Sequence, residues 1–176
     1  MSWFARLWSR LKAARPRLEN SKLSYDIGRL ALQIAIEEMR LSAGEMGKNN
    51  SGPWVHKYTG GKDAAWCAWF VSWCIERACE MVSVPLPIKA TGWARGLYRR
   101  ARRAGEAVEC PEPGDLVCWG RGRVGGHIGI VSAVADGGRI FWSIEGNRGS
   151  FPARVDEFKH ALGEDRLMGF ARLPRI

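Results

Sequence analysis

Ala65-Trp66-Cys67-Ala68-Trp69-Phe70-Val71-Ser72-Trp73 is an apolar, aromatic run that follows the break at Gly60-Gly61, and its reading decides the fold. It predicts a helix from Ala64 to about Met81 with Cys67 in its opening turn. A helix start carries unpaired backbone N–H groups and partial positive charge, which favour a thiolate and can receive a developing oxyanion. Sixty residues further on, Gly125-Gly126-His127-Ile128-Gly129-Ile130-Val131 reads as a strand with a histidine at its entrance. A second strand closes in Ser143-Ile144-Glu145-Gly146-Asn147. Cysteine, histidine and a polar orienting group thus arrive in the order that nucleophilic thiol chemistry requires.

The rest of the chain frames this core. From Ser24 to about Ser42 apolar residues Leu30, Ile34 and Met39 alternate with Arg29, Gln33, Glu37 and Glu38, which predicts a helix with Ser24 as N-cap. Pro53 starts a single helical turn, and Trp93 to Ala104 reads as a further helix stopped by Gly105. After Pro113 the pattern changes to short β-like runs: Asp115 to Trp119, His127 to Ala135, Gly138 to Glu145, one near Val155, and Arg166 to Leu173. Helices first and strands later predict an α+β domain, with helices packed on an antiparallel sheet.

Residues 1–22 form a separate unit. Trp3, Phe4, Leu7, Trp8 and Leu11 recur at helical spacing between Arg6, Arg10, Lys12 and Arg15, a basic amphipathic helix over Ser2 to Ala14 that Pro16 ends. Such a helix can lie in a membrane interface or pack its tryptophans on the domain formed by residues 23–176.

Composition sets bounds. A chain of 176 residues fits one compact domain with a sufficient core. Five cysteines without a Cys-x-x-Cys pair give neither a zinc frame nor a full disulfide set, so Cys74, Cys79 and Cys118 are expected as buried thiols. Lys and Arg number 27 against 18 Asp and Glu, a net charge of +9 that favours polyanionic surfaces. No apolar run reaches the length of about eighteen residues that a membrane helix needs, and no secretory signal pattern opens the chain. Action outside the cytoplasm, in the periplasm or cell wall, is therefore expected to follow release or delivery.

Four segments in order carry a family resemblance. Trp66 to Val71, Pro111 to Val117, Gly126 to Val131 and Glu145 to Asn147 resemble the CHAP branch of the NlpC/P60-type cysteine peptidases, from roughly Tyr25 to Phe170. The resemblance implies a papain-like α+β fold and cleavage of an amide bond in bacterial peptidoglycan: a stem-peptide link, a cross-bridge or the muramoyl-L-alanine bond. It implies Cys67 as nucleophile, His127 as base and Glu145 as the group orienting His127. Asn147 then either supports Glu145 or takes over as the orienting group, since residues two apart on a continuing strand face one side. Trp66, beside the nucleophile, is the expected substrate contact, and Tyr58 is a candidate second oxyanion donor. His56 and His160 read as surface residues. The approach Gly60-Gly61-Lys62-Asp63 has too few oxygen ligands for calcium, so neither a metal nor another cofactor is expected.

The small chain, its charge and its N-terminal helix fit a monomeric phage-type endolysin that meets an anionic membrane or lipopolysaccharide on the way to peptidoglycan. A toxin delivered by a type VI-like injection system has the same chemistry. Two other classes predict different behaviour: a membrane-active protein that depends on the N-terminal helix, and a nucleic-acid-binding module using Arg99 to Arg103. No nucleic-acid motif is present, and nucleic acid is not an expected partner.

Overall fold

The computed structural model describes residues 24–176, so the basic helix and linker expected over residues 1–22 lie outside the described residues. Helix α1 spans Ile27–Arg40 and buries Ile27, Ala31, Leu32 and Ala35 along one face. Its N-cap is Asp26, whose side chain accepts from the Arg29 N–H at 3.0 Å, and not the expected Ser24. The reason is long-range: Tyr25 pairs through its backbone with Ile176, and Asp26 bridges to Arg175, which keeps this segment extended up to the cap.

Helix α2, Pro53–Thr59, starts on its proline and ends at Gly60 in the left-handed conformation. Helix α3 spans Cys67–Val82, beginning three residues later than Ala64, so that Cys67 is its first residue. Phe70, Val71, Cys74, Ile75, Ala78 and Cys79 repeat at three- and four-residue spacing as its buried face. Helix α4, Ala94–Ala104, stops at Gly105 and buries Leu97, Tyr98 and Ala101 while Arg99, Arg102 and Arg103 face out.

The remaining strands form one antiparallel sheet: β1 Glu106–Val108, β2 Leu116–Arg121, β3 Gly125–Ala135, β4 Ile140–Glu145, β5 Asp156–Ala161 and β6 Leu167–Arg172. Their order is β1-β6-β2-β3-β4-β5, with the last strand inserted between the first two. The α+β arrangement is the expected one. β1 has no counterpart in the sequence reading, because a three-residue strand with exposed Glu106 carries no apolar alternation. The strand expected near Val155 lies just beyond it, in a polar edge strand whose sole fully enclosed residue is His160.

Strand alternation divides the side chains between two cores. Leu116, Cys118, Ile128, Ile130, Ile144 and Ala171 pack with α1, α3 and α4. Val117, Trp119, Val131, Phe141 and Phe170 form a smaller aromatic cluster on the alternate positions. His127 stands directly across from Trp119 in the β2–β3 register and shares that second face. Among the described residues no helix is long and apolar enough to cross a membrane.

Candidate active site

Three elements meet at the site. α3 contributes Cys67, largely buried at 7 % exposure, and its N-cap residue Trp66 makes no side-chain capping bond. The N–H groups of the first turn are therefore not consumed by a cap. β3 contributes His127 and β4 ends in Glu145, both buried.

Nε2 of His127 lies 2.6 Å from Oε2 of Glu145, while Nδ1 is buried without a hydrogen-bond partner. The thiol of Cys67 is the acidic group beside the ring. Burial is the largest influence on His127 and opposes its charge, but Cys67 and Glu145 outweigh it and raise its pKa above the ordinary value. The imidazole is thus set up to accept a proton from sulfur.

A buried carboxylate is tolerable only when well paired. Besides His127, Glu145 accepts from Ser143 Oγ at 2.7 Å, from Arg148 Nη1 at 2.9 and 3.1 Å, and from Nε2 of His160 at 2.8 Å. Burial, again the largest influence, pushes its pKa up, yet the His127 and His160 bonds with the His127 charge and Ser143 hold it well below the carboxylate range. Glu145 also needs space: a Cβ at Gly129 would stand 2.7 Å from Glu145 Cγ, so only glycine leaves room for the carboxylate at that point of β3.

Two buried thiols are held inert. Burial pushes Cys118 up to about 12 and raises Cys74 as well. They are the small core hydrophobes the sequence predicts.

Several expected roles are corrected. Asn147 does not share a strand face with Glu145: β4 ends at Glu145, Asn147 has a left-handed φ of 60°, and no hydrogen bond joins it to His127 or Glu145. The supporting positions around Glu145 are filled by Ser143, Arg148 and His160. Trp66 is fully enclosed, stacked on Tyr58 with centroids 5.7 Å apart, its indole N–H donating to Glu45 Oε1 at 3.2 Å. Gly146 runs against its ring, where a Cβ would sit 2.3 Å away, so Trp66 presents no surface to a substrate. The Tyr58 hydroxyl donates to Glu38 Oε2 at 2.5 Å in the core, which removes it as an oxyanion donor. His160 is buried at 3 % exposure, not a surface residue, whereas His56 is half-buried and paired with Asp63 at 2.7 Å.

Sequence reasoning missed Ser143, Arg148, His160, Glu164 and Gly129. Ser143 lies two residues before Glu145 and so shares its strand face, a signal that was available. Arg148 lies only three residues beyond Glu145, in the loop after β4, whereas Gly129, His160 and Glu164 depend on which strand pairs with which. A cavity of about 210 Å³ opens beside His127, lined by Trp119, Arg121, Arg148, Glu164 and Arg166.

Residues 57–147 match the CHAP domain model, and the match covers Cys67, His127 and Glu145. The chain belongs to the CHAP domain family, as the resemblance implied. Membership indicates a peptidoglycan hydrolase or amidase type of function. Neither the curated proteins nor the solved structures give a match to the chain.

Proposed function

We propose that the protein hydrolyses an amide bond of bacterial peptidoglycan through a thioacyl intermediate on Cys67. The observation that carries this is the placement of one buried imidazole between a helix-start cysteine and a carboxylate bonded to Nε2. His127 takes the thiol proton at Nδ1 as sulfur attacks the carbonyl carbon. The backbone N–H of Cys67 faces the developing oxyanion. Collapse breaks the C–N bond, and the amine leaves with the proton from His127. Water then attacks the thioester, His127 again holding the proton, and the carboxylic acid product and free thiol are released. Glu145, kept ionised, orients the ring and stabilises the imidazolium.

The setting we infer is that of a phage-type endolysin acting in the periplasm or cell wall. The net charge of +9 suits approach to an anionic envelope. The test is mass spectrometry of soluble products from purified peptidoglycan treated with the wild-type protein and with Cys67→Ala. New amine ends from wild type alone are expected, and the fragment masses identify the bond. Equal release by both proteins would overturn the reading.

A further inference from the structure

Behind Glu145 stands a second histidine that the reaction does not touch. His160, on β5, lies opposite Phe141 of β4 in the strand register, and its side chain is completely enclosed. The ring stacks on Phe141 at 5.0 Å and leans on Trp119 at 4.7 Å between centroids. An aromatic hydrocarbon would fill that slot equally well. What requires an imidazole is its edge: Nε2 is 2.8 Å from Glu145 Oε1, and Nδ1 is 2.9 Å from Glu164 Oε2.

The two carboxylates constrain the protons of the ring. Because a carboxylate can only accept, Nδ1–H donates to Glu164 Oε2 and Nε2–H to Glu145 Oε1. Arg148 Nη1 donates to both oxygens of Glu145. Glu145 is thus pinned from behind. Glu164 is in turn fixed by the Trp119 indole N–H at 3.2 Å, and Trp119 stands across from His127 in the β2–β3 register. The chain of contacts therefore starts and finishes beside the same histidine.

We propose that His160 and Glu164 form a positioning dyad for Glu145, extending the relay to Cys67, His127, Glu145, His160 and Glu164. This inference rests on the proposed roles of Cys67, His127 and Glu145. Neither residue of the dyad touches the reacting atoms. Both lie beyond the stretch matched by the family model, which ends at residue 147. The dyad joins the buried carboxylate to the cavity beside His127, since the Glu164 side chain is 34 % exposed and lines it.

Glu164→Gln is the primary variant, because a part-exposed side chain is replaced by its amide without disturbing the core. His160→Gln, which keeps a polar edge, and His160→Phe, which keeps only the stacking, complete the set. The readouts are the rate and pH midpoint of Cys67 alkylation by iodoacetamide, followed by peptide mass spectrometry, and the rate of peptidoglycan hydrolysis. In Glu164→Gln the rates are expected to fall roughly tenfold, the low end of what removing the outer partner of a metal-bound histidine costs. The pH midpoint, a property of the Cys67–His127 pair, should move. His160→Phe should lose more than His160→Gln. In a Glu145→Gln background Glu164→Gln should cost nothing further, since its effect passes through Glu145. Unchanged alkylation in Glu164→Gln at every pH, or losses that add in full to those of Glu145→Gln, would overturn the dyad. If wild-type Cys67 shows His127-dependent alkylation but releases no peptidoglycan fragments, the substrate reading fails and the dyad stands.

Discussion

Glu145 bonds to the Nε2 of His127 at 2.6 Å and leaves Nδ1, on the opposite side of the ring, for the Cys67 thiol. One carboxylate therefore sets which nitrogen can exchange a proton with sulfur. Glu145→Gln offers an amide whose NH2 can donate to Nε2 and so favour the wrong tautomer. Hydrolysis is expected to fall roughly a thousandfold or more, as for the orienting carboxylate of other triads. Rates of peptidoglycan solubilisation, with circular dichroism to verify the fold, check this; near-wild-type activity would remove Glu145 from the relay.

Gly129 makes space for that carboxylate. In Gly129→Ala the new methyl would stand 2.7 Å from Glu145 Cγ and 3.0 Å from the Ile144 carbonyl oxygen, one a side chain and one fixed backbone. Glu145 is the group that must yield. The variant is expected to lose about 1–3 kcal/mol of stability from overpacking. Its activity should fall by more than its folded fraction accounts for, as measured by denaturant titration alongside hydrolysis.

Trp66 contributes to the core and not to substrate binding. Trp66→Ala should destabilise the protein by about 3–5 kcal/mol in urea titrations. Trp66→Phe, which keeps an aromatic against Tyr58 and Gly146, should leave KM unchanged while lowering Tm. A raised KM with normal stability would return Trp66 to the substrate groove.

The raised pKa of His127 gives a signed prediction for stability. Folding favours the imidazolium, so its contribution is complete below the ordinary value of 6.5 and is lost as pH rises through the elevated folded value. Glu145 stays ionised across this window because its own pKa is depressed. The Tm difference between wild type and His127→Gln should therefore be most favourable to wild type below pH 6.5 and shrink toward alkaline pH. Melting curves of both proteins across that range check it, and a difference that grows with pH contradicts it.

Much of the architecture was legible because local signals agree with it. The three- and four-residue apolar spacing of α3 and the glycine-punctuated strands after Pro113 identify α+β without reference to distant contacts. Cys67, His127 and Glu145, which the sequence singles out, meet in space. What stayed hidden depends on pairing between strands remote in sequence. His160 reaches Glu145 only because β5 lies against β4 with Phe141 opposite His160, and no local pattern in Asp-Glu-Phe-Lys-His-Ala encodes that register. Trp66 misled through its adjacency to Cys67: at the start of a helix, consecutive side chains diverge, one to the site and the other to the core. Ser24 lost the cap to Asp26 because the opposite end of the described chain, Arg175 and Ile176, pairs with this segment.

The position of β6 between β1 and β2 has a temporal consequence. During synthesis Cys67, His127 and Glu145 are all made before Leu167–Arg172, yet β2 lacks a neighbour on one side until that strand threads in. Pairings of such long sequence separation are the late, slow events of folding. A nascent chain thus carries the proposed reacting residues before the sheet that aligns them is complete, so the proposed chemistry waits on the last strand of the described sheet.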